Sequence, residues 1–344
     1  MRRRLTFGPE AHGLGSAGPR PGSILASTVK TARRALFAGA LAALGACDAE
    51  RLLAFANAGD GGGDQPDAGN PSDADANPGD ANQSGTFGPP QIVPGLRSDT
   101  DEVQDPSLTF EETEIYFVSP TGGQNDIWVS RRTVATDPWG PSTLVTELSS
   151  PQNDEDPEVS VDGLTLYLTS DRGGTGRRLY LSQRRTRDTP WEAPAIVDGL
   201  GASTLDQAPT VDRGQLYLVF ASQRGAASDV HLFTAMRPDA SAAWQGATEI
   251  TALNSSWQDT DPALYSDGRA VLFASRRLTQ GKTSDLFQAT RADVSSPFAS
   301  SLAPVGELNT PDHTEEDPWV SQNGRHIVFV SDRSGRSRIY EAWR

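Results

Sequence analysis

Two sets of acidic side chains recur along this chain at intervals of about fifty residues. Asp105, Asp156, Asp261 and Asp317 each directly precede a proline, and Asp154, Asp206, Asp259 and Glu315 stand two positions ahead of that Asp-Pro site. Thirteen residues beyond each proline (Pro106, Pro157, Pro209, Pro262, Pro318) comes a serine, and in four copies an arginine follows two places later: Arg172, Arg224, Arg277 and Arg333. Carboxylates so arranged can pair with guanidinium groups or cap backbone amides. They can instead hold a calcium ion or a cationic peptide. Two of them at roughly 5 to 10 Å could serve as the acid and the base or nucleophile of glycoside hydrolysis. The Asp-Pro set is expected to take the first role, with Arg172, Arg224, Arg277 and Arg333 or with loop amides. Asp154, Asp206, Asp259 and Glu315 have no repeated arginine at a matching offset, so they are expected to form a ligand rim facing a cationic peptide, a protein loop or calcium.

Residues that break the repeat are the other candidates. Glu158, Trp319 and Tyr265 interrupt otherwise small residues after the prolines, and Trp257 lies in a loop ahead of one. Together they could stack a sugar or a peptide, with core packing as the competing expectation. His231, His313 and His326 are too scattered for a recognisable metal triad. The sequence holds no Gly-x-Ser-x-Gly elbow, no His-Glu-x-x-His and no P-loop, which leaves hydrolase, metalloprotease and nucleotidase chemistry without a motif. GLGSAG at 13–18 matches a dinucleotide-binding pattern but follows no strand, so it is a chance match. No catalytic residue and no cofactor other than a bound calcium ion is expected.

The formal net charge is −15, and residues 1–47 carry seven Lys/Arg against one Glu, which leaves the remainder near −21. A surface that acidic repels nucleic acid and anionic lipid. The single cysteine, Cys47, excludes an intramolecular disulfide. It ends the stretch VKTARRALFAGALAALGAC, which has a basic start, an apolar run too short for a stable transmembrane helix, and small residues before the cysteine. Residues 1–46 therefore read as a secretory signal with a long leader. Residues 48–86 hold eight acids, one Arg and few apolar side chains, so 47–86 reads as an attachment point followed by a disordered acidic tether.

The repeated carboxylates need a scaffold that brings five copies together, and residues 87–344 supply one. An aliphatic-aromatic pair recurs with an arginine five positions after the aliphatic residue, ending in Arg132, Arg184, Arg237, Arg291 and Arg344. An aromatic then opens a short segment closed by a leucine: Phe87 to Leu96, Trp139 to Leu148, Trp191 to Leu200, Trp244 to Leu253 and Phe298 to Leu308. Pairs such as Asp162-Gly163, Asp267-Gly268 and Asn323-Gly324 predict hairpins with tight primed turns. Copy one has Glu111-Glu112 there, and copy three shifts its Gly214 by one place, which a bulge could absorb. The strand after the turn is apolar on both faces, so it must be covered on both sides. A fifty-residue period of four such segments predicts an all-β, five-bladed propeller of four-stranded antiparallel blades. The fourth-strand type first occurs at 87–96, ahead of any complete blade, while the last blade lacks one. The N-terminal strand is therefore expected to close the ring.

At Asp105, Asp156, Asp261 and Asp317, the Asp-Gly turns and the Ser-Asp-Arg triplets at 170–172 and 331–333, the chain resembles the TolB-type, WD40-like propeller repeats of bacterial envelope proteins. That resemblance covers 87–344 and implies six blades, where the spacing counts five. Leu44-Gly45-Ala46-Cys47 likewise resembles the bacterial lipobox, which implies a lipid on Cys47. The expectation is a lipoprotein of the bacterial cell envelope, periplasmic or at the outer-membrane surface, touching membrane through its anchor only. It would be a binding or scaffolding module for an envelope protein or peptide, or a glycan. A carbohydrate-active enzyme with carboxylates in the propeller funnel is the alternative.

Overall fold

The computed structural model describes residues 85–97, 101–201, 203, 205–224, 229–298 and 301–344. The expected signal, Cys47 and the expected acidic tether up to residue 84 lie outside the described residues. A strand at Gln91–Ile92 (β1) comes first. Gln104–Leu108 (β2), Glu114–Thr121 (β3), Gln124–Arg131 (β4) and Thr143–Leu144 (β5) form blade 1. Blade 2 contains Asp154–Val159 (β6), Thr165–Ser170 (β7), Arg178–Gln183 (β8) and Ala195–Ile196 (β9). Blade 3 contains Asp206–Val211 (β10), Tyr217–Ser222 (β11), His231–Met236 (β12) and Gln245–Glu249 (β13). Blade 4 contains Asp259–Tyr265 (β14), Ala270–Ser275 (β15), Asp285–Thr290 (β16) and Ala303–Pro304 (β17). Blade 5 runs through Glu315–Val320 (β18), His326–Ser331 (β19) and Arg338–Trp343 (β20), and β1 supplies its fourth strand, pairing Gln91 with Glu341 and Ile92 with Tyr340. All pairings within the blades are antiparallel.

The innermost strands β2, β6, β10, β14 and β18 touch their neighbours in order, and β18 meets β2 to close the ring. Both faces of each second strand are buried because a blade packs on either side. Five apolar clusters result, one at each blade interface. Phe329 and Tyr340 meet Tyr265 and Leu272 between blades 4 and 5, while Val328 and Ile339 meet Ile115 and Phe117 across the closing seam.

The arginine five places after each aliphatic residue ties two elements of its blade together. Its guanidinium lies 4.0, 4.4, 4.3, 4.3 and 4.5 Å from the ring that opens the fourth strand, in Arg132 over Trp139, Arg184 over Trp191, Arg237 over Trp244, Arg291 over Phe298 and Arg344 over Phe87. The Nε of the same arginine donates to a hairpin-turn carbonyl, at Glu112, Gly163, Gln215, Gly268 and Gly324 respectively. Cation–π contact and hydrogen bond together fix the turn against the outer strand.

Those turns differ from the primed expectation. In blades 1, 2, 3 and 5 the amide of the fourth residue bonds back to the first carbonyl, as from Gly163 to Ser160 at 2.8 Å, and positive φ falls on that fourth residue: Glu112, Gly163, Gln215 and Gly324. This is a type I turn closed by a left-handed residue. Blade 4 alone strings Ser266, Asp267 and Gly268 at positive φ. Gly214 needs no bulge, because Gln215 takes the left-handed position at φ 54° and the turn keeps its length.

Candidate functional site

The two acidic sets occupy different places from those their spacing suggested. Asp154, Asp206, Asp259 and Glu315 are the buried set, at 0–1% exposure, where a ligand rim was expected. They pair with Arg172, Arg224, Arg277 and Arg333 at 2.5, 2.6, 2.6 and 3.0 Å. The repeated serine of each of these four blades donates to the same carboxylate, at 2.6 Å from Ser170 to Asp154 and 2.7 Å from Ser222 to Asp206. Each guanidinium also reaches the leucine carbonyl closing the previous blade's outer strand, at Leu148, Leu200, Leu253 and Leu308. The unit is an inter-blade clamp. Blade 1 has Val103 and Thr121 at these positions, and there Ser119 donates instead to the Glu102 carbonyl at 2.9 Å.

The Asp-Pro set faces the central channel and has no guanidinium hydrogen-bonded to it among the described residues. Asp105, Asp156, Asp261 and Asp317 each lie at φ of 50–51° inside a bulge, where the following proline cannot donate to the ladder. Their carboxylates accept backbone amides from the next blade: Asp156 to Asp105 at 3.1 Å, Ala208 to Asp156 at 2.9 Å, and Asp105 to Asp317 at 3.3 Å. Asp261 accepts the Asp317 amide in the same way. Blade 3 places Ala208 at φ 50° and brings no carboxylate to the ring. Burial is the main force raising these carboxyls, reinforced by repulsion from neighbouring carboxylates, Glu316 in the case of Asp261: Asp105 and Asp317 go well above the usual range, Asp156 rises, and Asp261 reaches about 6.

The channel, about 40 Å³, opens at one end into a funnel of about 1120 Å³. The residues after the prolines, Glu158, Thr210, Ala263 and Trp319, form the funnel floor, and Glu158 borders funnel and channel alike. Ser107 donates to Glu158 Oε2 at 3.2 Å and Thr210 to Oε1 at 3.1 Å. Burial pushes the Glu158 carboxyl up to about 7 against those two hydrogen bonds and a third from the Val211 amide. On the funnel wall Trp319 meets His326 edge-on at 5.8 Å, and His326 stacks on Trp343 at 4.6 Å. His326 Nδ1 lies 3.1 Å from Glu112 and Nε2 lies 3.4 Å from Glu341, and these carboxylates raise the imidazole against the opposing effect of burial.

Of the non-repeating candidates, the structure brings Glu158 and Trp319 together. Tyr265 is buried in the core between blades 4 and 5. Trp257 is 38% exposed near Gly281, at the opposite end of the inner strand from the funnel. His326, weighed in the sequence only as a metal ligand, and Trp343, not singled out there, belong to the funnel wall; nothing in their spacing shows that the strand ends meet there. Among the described residues no three His, Cys, Asp or Glu side chains are grouped to hold a metal ion.

No protein-family model matches the sequence, and no curated protein matches it. Solved structures do resemble it. One is Zg3597, a family 117 glycoside hydrolase produced by the marine bacterium Zobellia galactanivorans, at 14% identity and a TM-score of 0.50 over 75% of this chain and 90% of that one. Another is the catalytic domain of the Coprinopsis cinerea GH62 α-L-arabinofuranosidase, at 11% identity and a TM-score of 0.50 over 75% and 96%. TolB from Acinetobacter baumannii matches at 16% identity and a TM-score of 0.47, over 72% of this chain and 55% of TolB. At such identities the likeness is one of fold: this chain is a five-bladed β-propeller whose structural neighbours include glycoside hydrolases and TolB proteins.

Proposed function

We propose that this chain is a lipid-anchored binding or scaffolding propeller of the bacterial cell envelope that receives a protein segment or peptide in its funnel. One observation carries the reading: all eight repeated carboxylates are held by arginines, hydroxyls or amides of the protein itself, whereas Glu158, Trp319, His326 and Trp343, each unique to one blade, converge on one concavity. Repetition is what scaffolding requires, and a binding site on a repeat protein is drawn from the departures. The anchor rests on the sequence alone, on Leu44-Gly45-Ala46-Cys47 after an apolar run. A photo-crosslinking side chain at Phe110, 50% exposed on the funnel wall, should yield adducts in intact envelopes, and one at Trp257 should not. The opposite pattern overturns the reading. Mass spectrometry of the membrane-associated protein should find a lipidated Cys47 as its first residue.

Glu158 favours a second reading, because a carboxyl raised to about 7 in a funnel meets the requirement for a general acid of glycoside hydrolysis. That chemistry needs a second carboxylate. Of the wall acids, Glu111 pairs with Arg187, and Glu112 with His326 and Arg132, which leaves Asp267 as the wall carboxylate with no ion pair among the described residues. Release of aryl glycosides by the purified protein, abolished in Glu158→Gln, would establish the enzyme over the binding module.

A further inference from the structure

We infer that the throat of the funnel receives a single alkylammonium group, a lysine side chain or a free aliphatic amine, against the Glu158 carboxylate. This rests on the funnel being the binding site. The hydroxyls around Glu158 set the requirement. Ser107 Oγ accepts the Val159 amide at 3.0 Å, and Thr210 Oγ1 accepts the Leu264 amide at 3.0 Å. With one lone pair of each oxygen taken by an amide, both hydroxyls are free to donate to Glu158, 3.2 and 3.1 Å away. Two such donors suit a carboxylate that only accepts, the ionised form. Both donors are neutral, and no ion pair among the described residues includes Glu158. A half-buried carboxylate without a cation carries part of the cost of desolvation, which a cationic ligand reduces.

The surroundings choose the ligand. Below Glu158 the channel adds Asp105, Asp156, Asp261 and Asp317, so the potential at the throat is negative. Around the floor, Ala263 leaves room, and Trp319 offers an aromatic face to an alkyl chain or a cation. The mouth is of mixed sign, with Glu111 bound to Arg187, Arg213 lying 5.6 Å from the Phe110 ring, and Arg269 holding the Ser266 carbonyl. Attraction for a cation is therefore confined to the throat. The channel below is narrow, about 40 Å³, and is lined by the Asp-Pro residues. A compact ammonium suits that point better than the planar fork of a guanidinium.

The test uses the folded protein and two probes that differ by one amine: Nα-acetyl-lysine methylamide and its norleucine counterpart, titrated by calorimetry at pH 8 and low salt. The lysine probe is expected to bind about tenfold or more tighter. Its affinity should fall as pH drops below about 7, where Glu158 takes up a proton. Glu158→Gln, with its melting transition checked, should lose the preference. Pentane-1,5-diamine as a third probe separates the sources: tighter binding than the lysine derivative identifies a free amine, weaker binding a lysine side chain. Equal binding of the lysine and norleucine probes, or an unchanged preference in Glu158→Gln, overturns the inference. If the amines fail while crosslinks from Phe110 persist, the funnel still binds and only its ligand class is wrong; if both fail, the binding reading falls too.

Discussion

Asp154 and Asp156 stand two residues apart on one strand and live in opposite electrostatic worlds. The first is fully buried, meets Arg172 at 2.5 Å, and accepts from Ser170 and the Ser150 amide. The second faces the channel, where it has the Asp261 carboxylate for a neighbour and is held by the Thr169 hydroxyl, the Ala208 amide and the more distant charge of Arg177. A bulge separates the two: the left-handed residue and its proline rotate the strand, so that neighbours of the same chemical type point to a clamp and to a channel. Acidity alone does not assign a role; the group supplying the opposite charge does.

Breaking the clamp should have the largest effect. Asp154→Ala leaves the Arg172 guanidinium without its carboxylate and the Ser150 amide without its acceptor, and is expected to cost about 3 kcal/mol or more in urea unfolding. Adding Arg172→Ala should recover part of that loss, which identifies the pair as the unit.

The channel set should respond with the reverse sign. Because burial and repulsion raise these carboxyls, the folded state keeps protons that the unfolded chain releases. Their contribution is complete below the unfolded carboxyl value of about 4. It is lost as pH rises through about 6 for Asp261 and about 7 for Glu158. The melting temperature is expected to be higher at pH 5.5 than at pH 8. Asp156→Asn keeps an oxygen for the Ala208 amide and removes a charge. It should therefore stabilise at pH 8, and the gain should shrink as pH falls.

The smallest effect concerns the gap in the ring. Ala208 sits at φ 50°, where alanine is strained. Ala208→Asn suits that conformation and adds a neutral acceptor facing blade 4, for an expected gain of about 0.5 to 1 kcal/mol in thermal unfolding.

The period, the five blades and the closing strand were legible because each depends on local pattern: apolar runs buried on both sides, turn dipeptides, and a fourth-strand segment displaced to the front of the chain. The acid roles were exchanged because the sequence does not display the bulge. A signal was nonetheless present. Blade 1 lacks both the acid, at Val103, and the arginine, at Thr121, whereas blade 3 keeps Asp206 and Arg224 and lacks only the Asp-Pro acid, at Ala208. Residues gained and lost together across copies are partners, and that comparison assigns the arginines to Asp154, Asp206, Asp259 and Glu315. The funnel was half legible. Glu158 and Trp319 stood out as departures, while Trp343 and His326 come together only through stacking across β19 and β20.

The seam at β1 also governs the order of events in folding. Each hairpin in blades 2 to 4 joins strands close in sequence, but Gln91 must find Glu341 across nearly the whole domain. Loop-closure entropy grows only as the logarithm of length, by about 0.6 kcal/mol per doubling, so the cost falls chiefly on rate rather than on final stability. Two paired residues, the Gly88 and Val93 amides bonded to Trp343 and Ile339, and Phe87 under Arg344 hold that junction. Within the propeller β1 thus waits for β20, and until the two dock the ring is an open arc with β20 as a bare edge.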